Sequence, residues 1–187
     1  MQWRNAASGY GLVAIALHWL VAVAVVGLFG LGLWMVELTY YDPLYRDLPD
    51  LHKSIGVLLF VAVILRLGWR LTNPTPAPLG SVLEQRAAAV AHYGMYALMF
   101  ATMFAGYLIS TADGRSVSVF GLFDVPASIH GHPDQADVAG EIHQWLAWSL
   151  LALASLHALA AVKHHVWDRN LTLARMLRPG HAKQDSN

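Results

Sequence analysis

Apolar segments long enough to cross a membrane alternate with polar stretches four times along the chain. A spanning helix needs about 20 predominantly apolar residues, and each segment is close to that length. The predicted helices cover approximately residues 12–36, 52–71, 87–110 and 140–166. Polar stretches lie at residues 37–51, 72–86 and 111–139, with a polar tail at 167–187. The pattern predicts one all-α domain over residues 1–187, an integral membrane four-helix bundle.

The first apolar segment is predicted to remain in the mature protein as a membrane anchor. It is longer than the apolar region of a cleavable signal peptide, and it lacks a small-residue cleavage pattern. It also contains His18, a polar residue that a signal peptide would not need.

The composition agrees with a membrane protein and limits the kinds of metal or cofactor site that the chain can form. Of 187 residues, 56% are hydrophobic and only 13% are charged, whereas about 25% are charged in an average soluble domain. The chain has no cysteine, which excludes disulfides, iron–sulfur clusters and covalent haem attachment. Its ten histidines therefore supply the only strong nitrogen or sulfur ligands for a metal.

Charge predicts the orientation of the helices. The face with both termini and residues 72–86 has nine basic residues against three acidic ones: Arg4, Arg66, Arg70, Arg86, Lys163, Arg169, Arg175, Arg178 and Lys183, against Glu84, Asp168 and Asp185. The opposite face has three against nine: Arg46, Lys53 and Arg115, against Glu37, Asp42, Asp47, Asp50, Asp113, Asp124, Asp134, Asp137 and Glu141. Basic loops stay in the cytoplasm, so both termini are predicted to be cytoplasmic and the acidic loops to face outward.

Two histidines on the fourth segment are the most informative residues. His143 and His157 are fourteen residues apart, which returns to nearly the same helix face after a rise of roughly 21 Å. One helix would therefore present an imidazole near each surface of a bilayer core about 30 Å thick. Ionisable side chains at such depths are energetically costly and usually functional.

Depth sorts the membrane histidines into two layers. His52 opens the second segment and pairs with His143 near the outer surface. Near the inner surface, His18, His92 and His157 compete for two positions, and depth alone does not choose between them. Two imidazoles from facing helices can ligate the iron of a b haem inside a helical bundle, so two layers predict two b haems.

Other roles for these histidines were weighed. A single membrane histidine is often an interhelical hydrogen-bond partner, and for His92 this role is at least as good an interpretation as ligation. A proton relay would usually add carboxylates within the membrane, and the centres of these segments contain none. Haem ligation by two histidines is therefore preferred, with a haem-free metal or proton transporter as the alternative from another class.

Glycines near these histidines have two interpretations. Gly27, Gly30 and Gly32 lie on the first segment, and Gly56 lies one turn after His52. Close helix packing is the main expectation, because small residues are common where membrane helices meet. Space for a haem macrocycle beside Gly56 is the alternative.

Ordered motifs over nearly the whole chain resemble the bacterial cytochrome b561 family, and most closely its superoxide-oxidising, quinone-reducing branch. The motifs are ALHWL around His18, DLHKSIG around His52, RLGWRLTNPTP, AHYGMYALM around His92, EIHQWLAW around His143 and LHALAAVKHHVWDRNLTLARML. The resemblance implies a bacterial inner-membrane protein with two b haems. It further implies that His18 and His157 hold the inner haem, that His52 and His143 hold the outer haem, and that His92 is not a ligand.

The resemblance also points to His164 beside a quinone. Lys163, Trp167 and Arg66 collect with His164 where the fourth and second segments reach the cytoplasmic surface. Ubiquinone takes up protons together with electrons, and a histidine is suited to donate one near neutral pH. We therefore expect His164, Trp167 and Arg66 at the quinone site, with Lys163 as a basic residue that follows the positive-inside rule.

The outer electron donor is the least constrained part of the function. Superoxide is the donor that the resemblance implies, and Lys53 and Arg115 are the candidate cations to attract it or to neutralise haem propionates. The net negative charge of the outer face opposes an anion and instead suits a basic protein donor. The prediction is a superoxide:ubiquinone oxidoreductase in lipid, with a quinone-linked cytochrome b subunit as the alternative and with no nucleic-acid partner.

Overall fold

Four long helices account for most of the chain in this computed structural model, which describes residues 2–180. Lys183 and Asp185, counted above in the charge of the cytoplasmic face, lie outside the described residues. The elements are α1 (Leu12–Met35), α2 (Asp47–Thr72), α3 (Val82–Thr111), β1 (Val117–Val119), β2 (Phe123–Val125), α4 (Gln135–Val166) and a short 3-10 helix (Ala174–Met176). All four α-helices are long and apolar enough to cross a membrane. The expected all-α, multi-pass membrane class is confirmed.

Helices α2, α3 and α4 each begin five residues before the predicted start. Each first turn contains an acidic residue: Asp47 and Asp50 in α2, Glu84 in α3 and Asp137 in α4. Carboxylates at a helix N-terminus are stabilised by the exposed amides and the helix dipole. Apolar periodicity does not detect helical turns that contain charged residues. The predicted helix starts therefore lie where the apolar runs begin.

The start of α3 is a capping box. The amide of Ser81 donates to Oε2 of Glu84 at 2.8 Å, and the amide of Glu84 lies 3.4 Å from the Ser81 hydroxyl oxygen. This reciprocal pairing satisfies amides that the first helical turn leaves without partners. It also fixes the Glu84 side chain at the end of the helix.

The chain divides into two compact units, and every α-helix contributes residues to both. The first unit contains residues 2–22, 62–94 and 153–180 of the described chain. Within it, Arg175 donates to the carbonyl of Ala77 at 2.7 Å and the indole of Trp19 donates to the carbonyl of Met176 at 2.8 Å. The segment after α4 is therefore hydrogen-bonded to α1 and to the loop between α2 and α3.

The second unit contains residues 23–61 and 95–152, and it includes a β-hairpin that was not predicted. The sequence had indicated a polar loop over 111–139, but β1 and β2 pair within it and α4 already begins at Gln135. Val117 and Val119 alternate with exposed Ser118 and are almost fully buried. Phe120 and Gly121 have positive φ angles of 52° and 68°, the backbone conformation that closes a tight hairpin turn.

Candidate functional site

Three histidines meet in the first unit. The ring centres of His18 on α1 and His157 on α4 are 6.4 Å apart, with an interplanar angle of 68°. His92 on α3 lies closer to His157, at 5.1 Å between ring centres. The three residues that depth could not separate are therefore neighbours, with unequal spacings.

Arg66 contacts His18 directly. Its guanidinium donates to Nδ1 of His18 at 2.8 Å, because guanidinium has no acceptor. A neutral His18 that accepts at Nδ1 carries its proton on Nε2. Binding iron through Nε2 requires the other tautomer, so ligation of His18 would require Arg66 to move from Nδ1.

A second pair of histidines lies in the second unit. The ring centres of His52 on α2 and His143 on α4 are 6.2 Å apart, with an interplanar angle of 68°. Nδ1 of His143 lies 2.8 Å from the carbonyl oxygen of Thr102. The carbonyl can only accept, so Nδ1 carries the proton and the lone pair of Nε2 is left for a ligand. Nδ1 of His52 is buried and has no hydrogen-bond partner among the described residues.

Two glycines give these rings their space. A Cβ added at Gly106 would lie 3.1 Å from Cε1 and 3.2 Å from Nδ1 of His143. A Cβ at Gly32 would lie 3.4 Å from Cε1 of His52. Each imidazole therefore lies directly against a helix backbone that has no side chain at that point.

Close helix packing was the wrong interpretation for three of the glycines singled out from the sequence. A Cβ added at Gly27, Gly30 or Gly56 would meet no atom of the described residues within 4 Å. The absence of a side chain at these positions is therefore not required by a neighbouring helix.

Both 6 Å pairs have the ring spacing expected of two imidazoles that bind one iron atom. Two rings bound to one iron at about 2 Å have centres about 6 Å apart, because each centre lies about 1 Å behind its ligating nitrogen. The spacings of 6.4 and 6.2 Å agree with this arrangement, whereas the His92–His157 spacing of 5.1 Å is too short for it. Paired neutral imidazoles are also a suitable donor set for a b haem.

A separate polar cluster surrounds His164 at the end of α4. Nδ1 of His164 lies 2.5 Å from Oδ2 of Asp168, and Nζ of Lys163 lies 2.7 Å from the same oxygen. Nζ of Lys163 also lies 3.2 Å from Oε1 of Glu84. Hydrogen bonds from Lys163 and then His164 hold the pKa of Asp168 below its usual value. The carboxylate therefore stays ionised beside the imidazole.

The remaining predicted site residues are Lys53, Arg115 and Trp167. Lys53 forms an ion pair with Asp50 at 2.6 Å, and the strongly exposed Arg115 pairs with Asp113 at 2.5 Å. Trp167 is 76% exposed. Each of the two cations proposed for the outer face therefore has a carboxylate partner.

Four residues that shape these sites were missed as site residues. Asp168 follows His164 by four positions, the spacing at which helical side chains meet, and the Ser81–Glu84 spacing marks a capping box. Those signals were available in the sequence. The contacts of Gly106 and of the Thr102 carbonyl with His143 depend on how α3 and α4 pack, which the sequence alone does not reveal.

Comparisons with known proteins agree with these observations. The model of a family described as prokaryotic cytochrome b561 matches residues 9–179. Cytochrome b561 homolog 2 of Escherichia coli (strain K12) is 49% identical over 179 residues, covering 95% of both chains. A protein of Yersinia pestis named probable superoxide oxidase CybB is 31% identical over 172 residues, covering 90% of this chain and 95% of its own. Cytochrome b561 homolog 1 of Escherichia coli is 25% identical over 169 residues, covering 87% and 93%.

Proposed function

The chain belongs to the prokaryotic cytochrome b561 family, and from that premise we propose that it is a di-haem superoxide:ubiquinone oxidoreductase. Family membership makes it a multi-pass membrane electron carrier that binds haem b. The observation that carries the fuller proposal is the presence of two imidazole pairs with the spacing of bis-histidine iron sites, at 6.4 and 6.2 Å. When bound there, two b haems supply one-electron oxidation and reduction.

The ligand assignment is His18 with His157 and His52 with His143. The Thr102 carbonyl holds His143 in the tautomer that leaves Nε2 bare, and Gly106 allows the ring to approach α3. His92 is assigned a packing role because its ring is too close to His157 for an iron atom between them.

The proposed orientation places both termini in the cytoplasm of a bacterium, with the protein in the inner membrane. Its support is the charge asymmetry, because basic residues are retained on the cytoplasmic side. The His164 cluster and Arg66 then belong to the cytoplasmic side, while the hairpin and the acidic loops face outward.

Ubiquinone is proposed to be reduced beside His164. Two electrons and two protons convert ubiquinone to ubiquinol, so a reduction site needs a proton donor. Asp168 accepts from Nδ1 of His164, so the proton given to the quinone would be a second one carried on Nε2, with the Asp168 carboxylate balancing the charge of the doubly protonated ring. Trp167 offers an exposed aromatic surface at the same helix end. Arg66 contacts Nδ1 of His18 and would have to leave it when His18 binds iron, which would free its guanidinium to act between the inner ligand pair and the quinone.

Replacing His164 by leucine is expected to slow quinone reduction about a hundredfold, the lower end of what a positioned proton donor contributes. Haem content should not change, because His164 belongs to neither imidazole pair. The rate can be followed in the reverse direction by mixing ubiquinol with the oxidised protein and recording the b-type absorption band. His165→Leu is the matched control, since His165 is its exposed neighbour. Equal rates for His164→Leu and the parent protein would exclude this role.

Superoxide is the proposed electron donor at the outer face. The Yersinia pestis relative carries the name of a superoxide oxidase, and each superoxide that loses one electron becomes O₂. Lys53 and Arg115 are the proposed attracting residues, although each is paired with a carboxylate.

A protein donor is the second candidate, and the ion pairs favour it. With Lys53 and Arg115 neutralised by Asp50 and Asp113, the remaining acidic residues of this face would repel an anion. The same charges would attract a basic protein and speed its association at low ionic strength. Strong salt dependence of reduction by a basic donor protein would distinguish this candidate.

The decisive experiment combines haem content with superoxide-driven turnover. Detergent-purified protein is expected to contain two b haems by the pyridine haemochrome assay, and superoxide is expected to reduce ubiquinone through it at close to the diffusion limit of about 10⁸–10⁹ M⁻¹s⁻¹. Two haems with slow reduction by superoxide would reject the superoxide proposal and favour a protein donor. Protein without haem would overturn the electron-carrier proposal and revive the transporter alternative.

A further inference from the structure

The β1–β2 hairpin is hydrogen-bonded to α2 at Ser54, two turns after the charged start of that helix. The buried hydroxyl of Ser54 accepts from the amide of Phe120 at 3.1 Å and donates to the carbonyl of Ser118 at 3.4 Å. Ser54 lies seven residues into α2, roughly 10 Å along the helix axis from its first residue. The hairpin turn is thus held beside a membrane-spanning helix at the point where its charged turns end, since Ser54 directly follows Lys53 and precedes the apolar run that begins at Ile55.

The tip of this hairpin is apolar and faces away from the protein. Phe120 and Phe123 are each 50% exposed, and Leu122 is 82% exposed. No charged residue occurs between Arg115 and Asp124. A cluster of exposed apolar side chains at one site marks an interaction surface.

We infer that the hairpin tip, residues 120–123, inserts into the lipid of the outer leaflet beside α2. On α2, Leu51 and Leu58 are exposed on either side of Ser54, three and four positions away and therefore on the same helix face. Because α2 spans the membrane, these leucines contact lipid. The exposed side chains of the hairpin tip extend this lipid-facing apolar surface. Phenylalanine and leucine are also the side chains by which amphipathic elements bury into the interface.

The hairpin backbone is suited to this environment. Non-helical backbone at membrane depth needs its hydrogen bonds satisfied within the protein. Val117 pairs with Val125 and Val119 pairs with Phe123 across the two strands. The amide of Leu122 donates to the carbonyl of Val119 at 2.9 Å, and that of Phe120 donates to Ser54. The turn therefore presents apolar side chains to lipid while the amides of Phe120 and Leu122 are satisfied within the protein.

A single cysteine at the tip tests this inference. The chain has no cysteine of its own, so Leu122→Cys can be labelled at one site with an environment-sensitive fluorophore. The holoprotein is reconstituted into liposomes, and quenching by nitroxide-labelled phospholipids is compared with quenching by aqueous iodide. His132→Cys, at an exposed position in the same outer loop, is the matched control.

The label at position 122 is expected to be quenched strongly by lipid nitroxides and weakly by iodide, with the reverse at position 132. Equal access of iodide to both positions would overturn the inference. Self-quenching that rises with protein density in the vesicle, together with disulfide cross-linking of unlabelled Leu122→Cys, would instead show a second copy of the chain at the tip. None of these readouts depends on electron transfer, so they remain valid whether or not superoxide is the donor.

Discussion

Replacing His143 by alanine is expected to halve the haem b content of the purified protein. The ring centres of His143 and His52 are 6.2 Å apart, and loss of one imidazole would leave an iron at this proposed site with a single protein ligand. The His18–His157 pair does not include either residue, so one haem should remain. The measurement is the pyridine haemochrome assay per mole of protein, with the absorption spectrum of the remaining haem recorded beside it.

The matched control is His92→Ala, which removes an imidazole of the same kind from a membrane helix. Because the His92 ring is only 5.1 Å from that of His157, this variant is expected to keep both haems. His52→Ala should reproduce the half loss, which separates loss of a ligand from misfolding of one variant. Full haem content in both His143→Ala and His52→Ala would reject the ligand assignment.

Replacing Gly106 by valine is expected to remove the same haem without touching a ligand. Even a Cβ at this position lies 3.1 Å from Cε1 of His143, and the valine methyl groups would extend further. The ring would be displaced and would lose its 2.8 Å hydrogen bond to the Thr102 carbonyl. Loss of such an orienting partner alone typically costs 10- to 100-fold in metal affinity, and loss of ring position costs more.

Gly140→Val is the control for this substitution. Gly140 lies on α4 in the same unit, and a Cβ there would meet no atom of the described residues within 4 Å. It carries the same cost of a β-branched residue in a helix, and it should retain full haem content. Equal haem loss in the two glycine variants would show that helix destabilisation, rather than displacement of His143, is the cause.

The sequence predicted the four helices well because long apolar runs in a membrane protein have few alternative structures. It located their starts less well, since Asp47, Glu84 and Asp137 belong to helical turns that have no apolar periodicity. It missed the hairpin at Val117–Val125 because two three-residue strands give too short an alternation to detect. The sequence therefore predicts which segments form the long helices more accurately than it predicts the residues at which those helices begin.

For the candidate site residues, too, the sequence predicted position along the helices but not which side chains meet. Helical spacing placed five histidines at two depths but gave no distances between them, so the ring spacings that bear on the choice between His92 and His18 come only from the packed helices. Arg66 was grouped with the quinone residues by its depth, whereas its guanidinium contacts His18. Lateral position around a helix axis depends on which helices are neighbours, and a single sequence does not specify that.

The use of α4 in both histidine pairs has a consequence for biogenesis. His18 and His52 emerge early in synthesis, yet each has its partner on α4, at His157 and His143. Neither pair is complete until that helix has been translated, and the hydrogen bond from Trp19 to Met176 must wait longer still. A nascent chain with three inserted helices thus holds unpaired imidazoles at both depths, and both proposed iron sites become available to haem only after α4 has been translated.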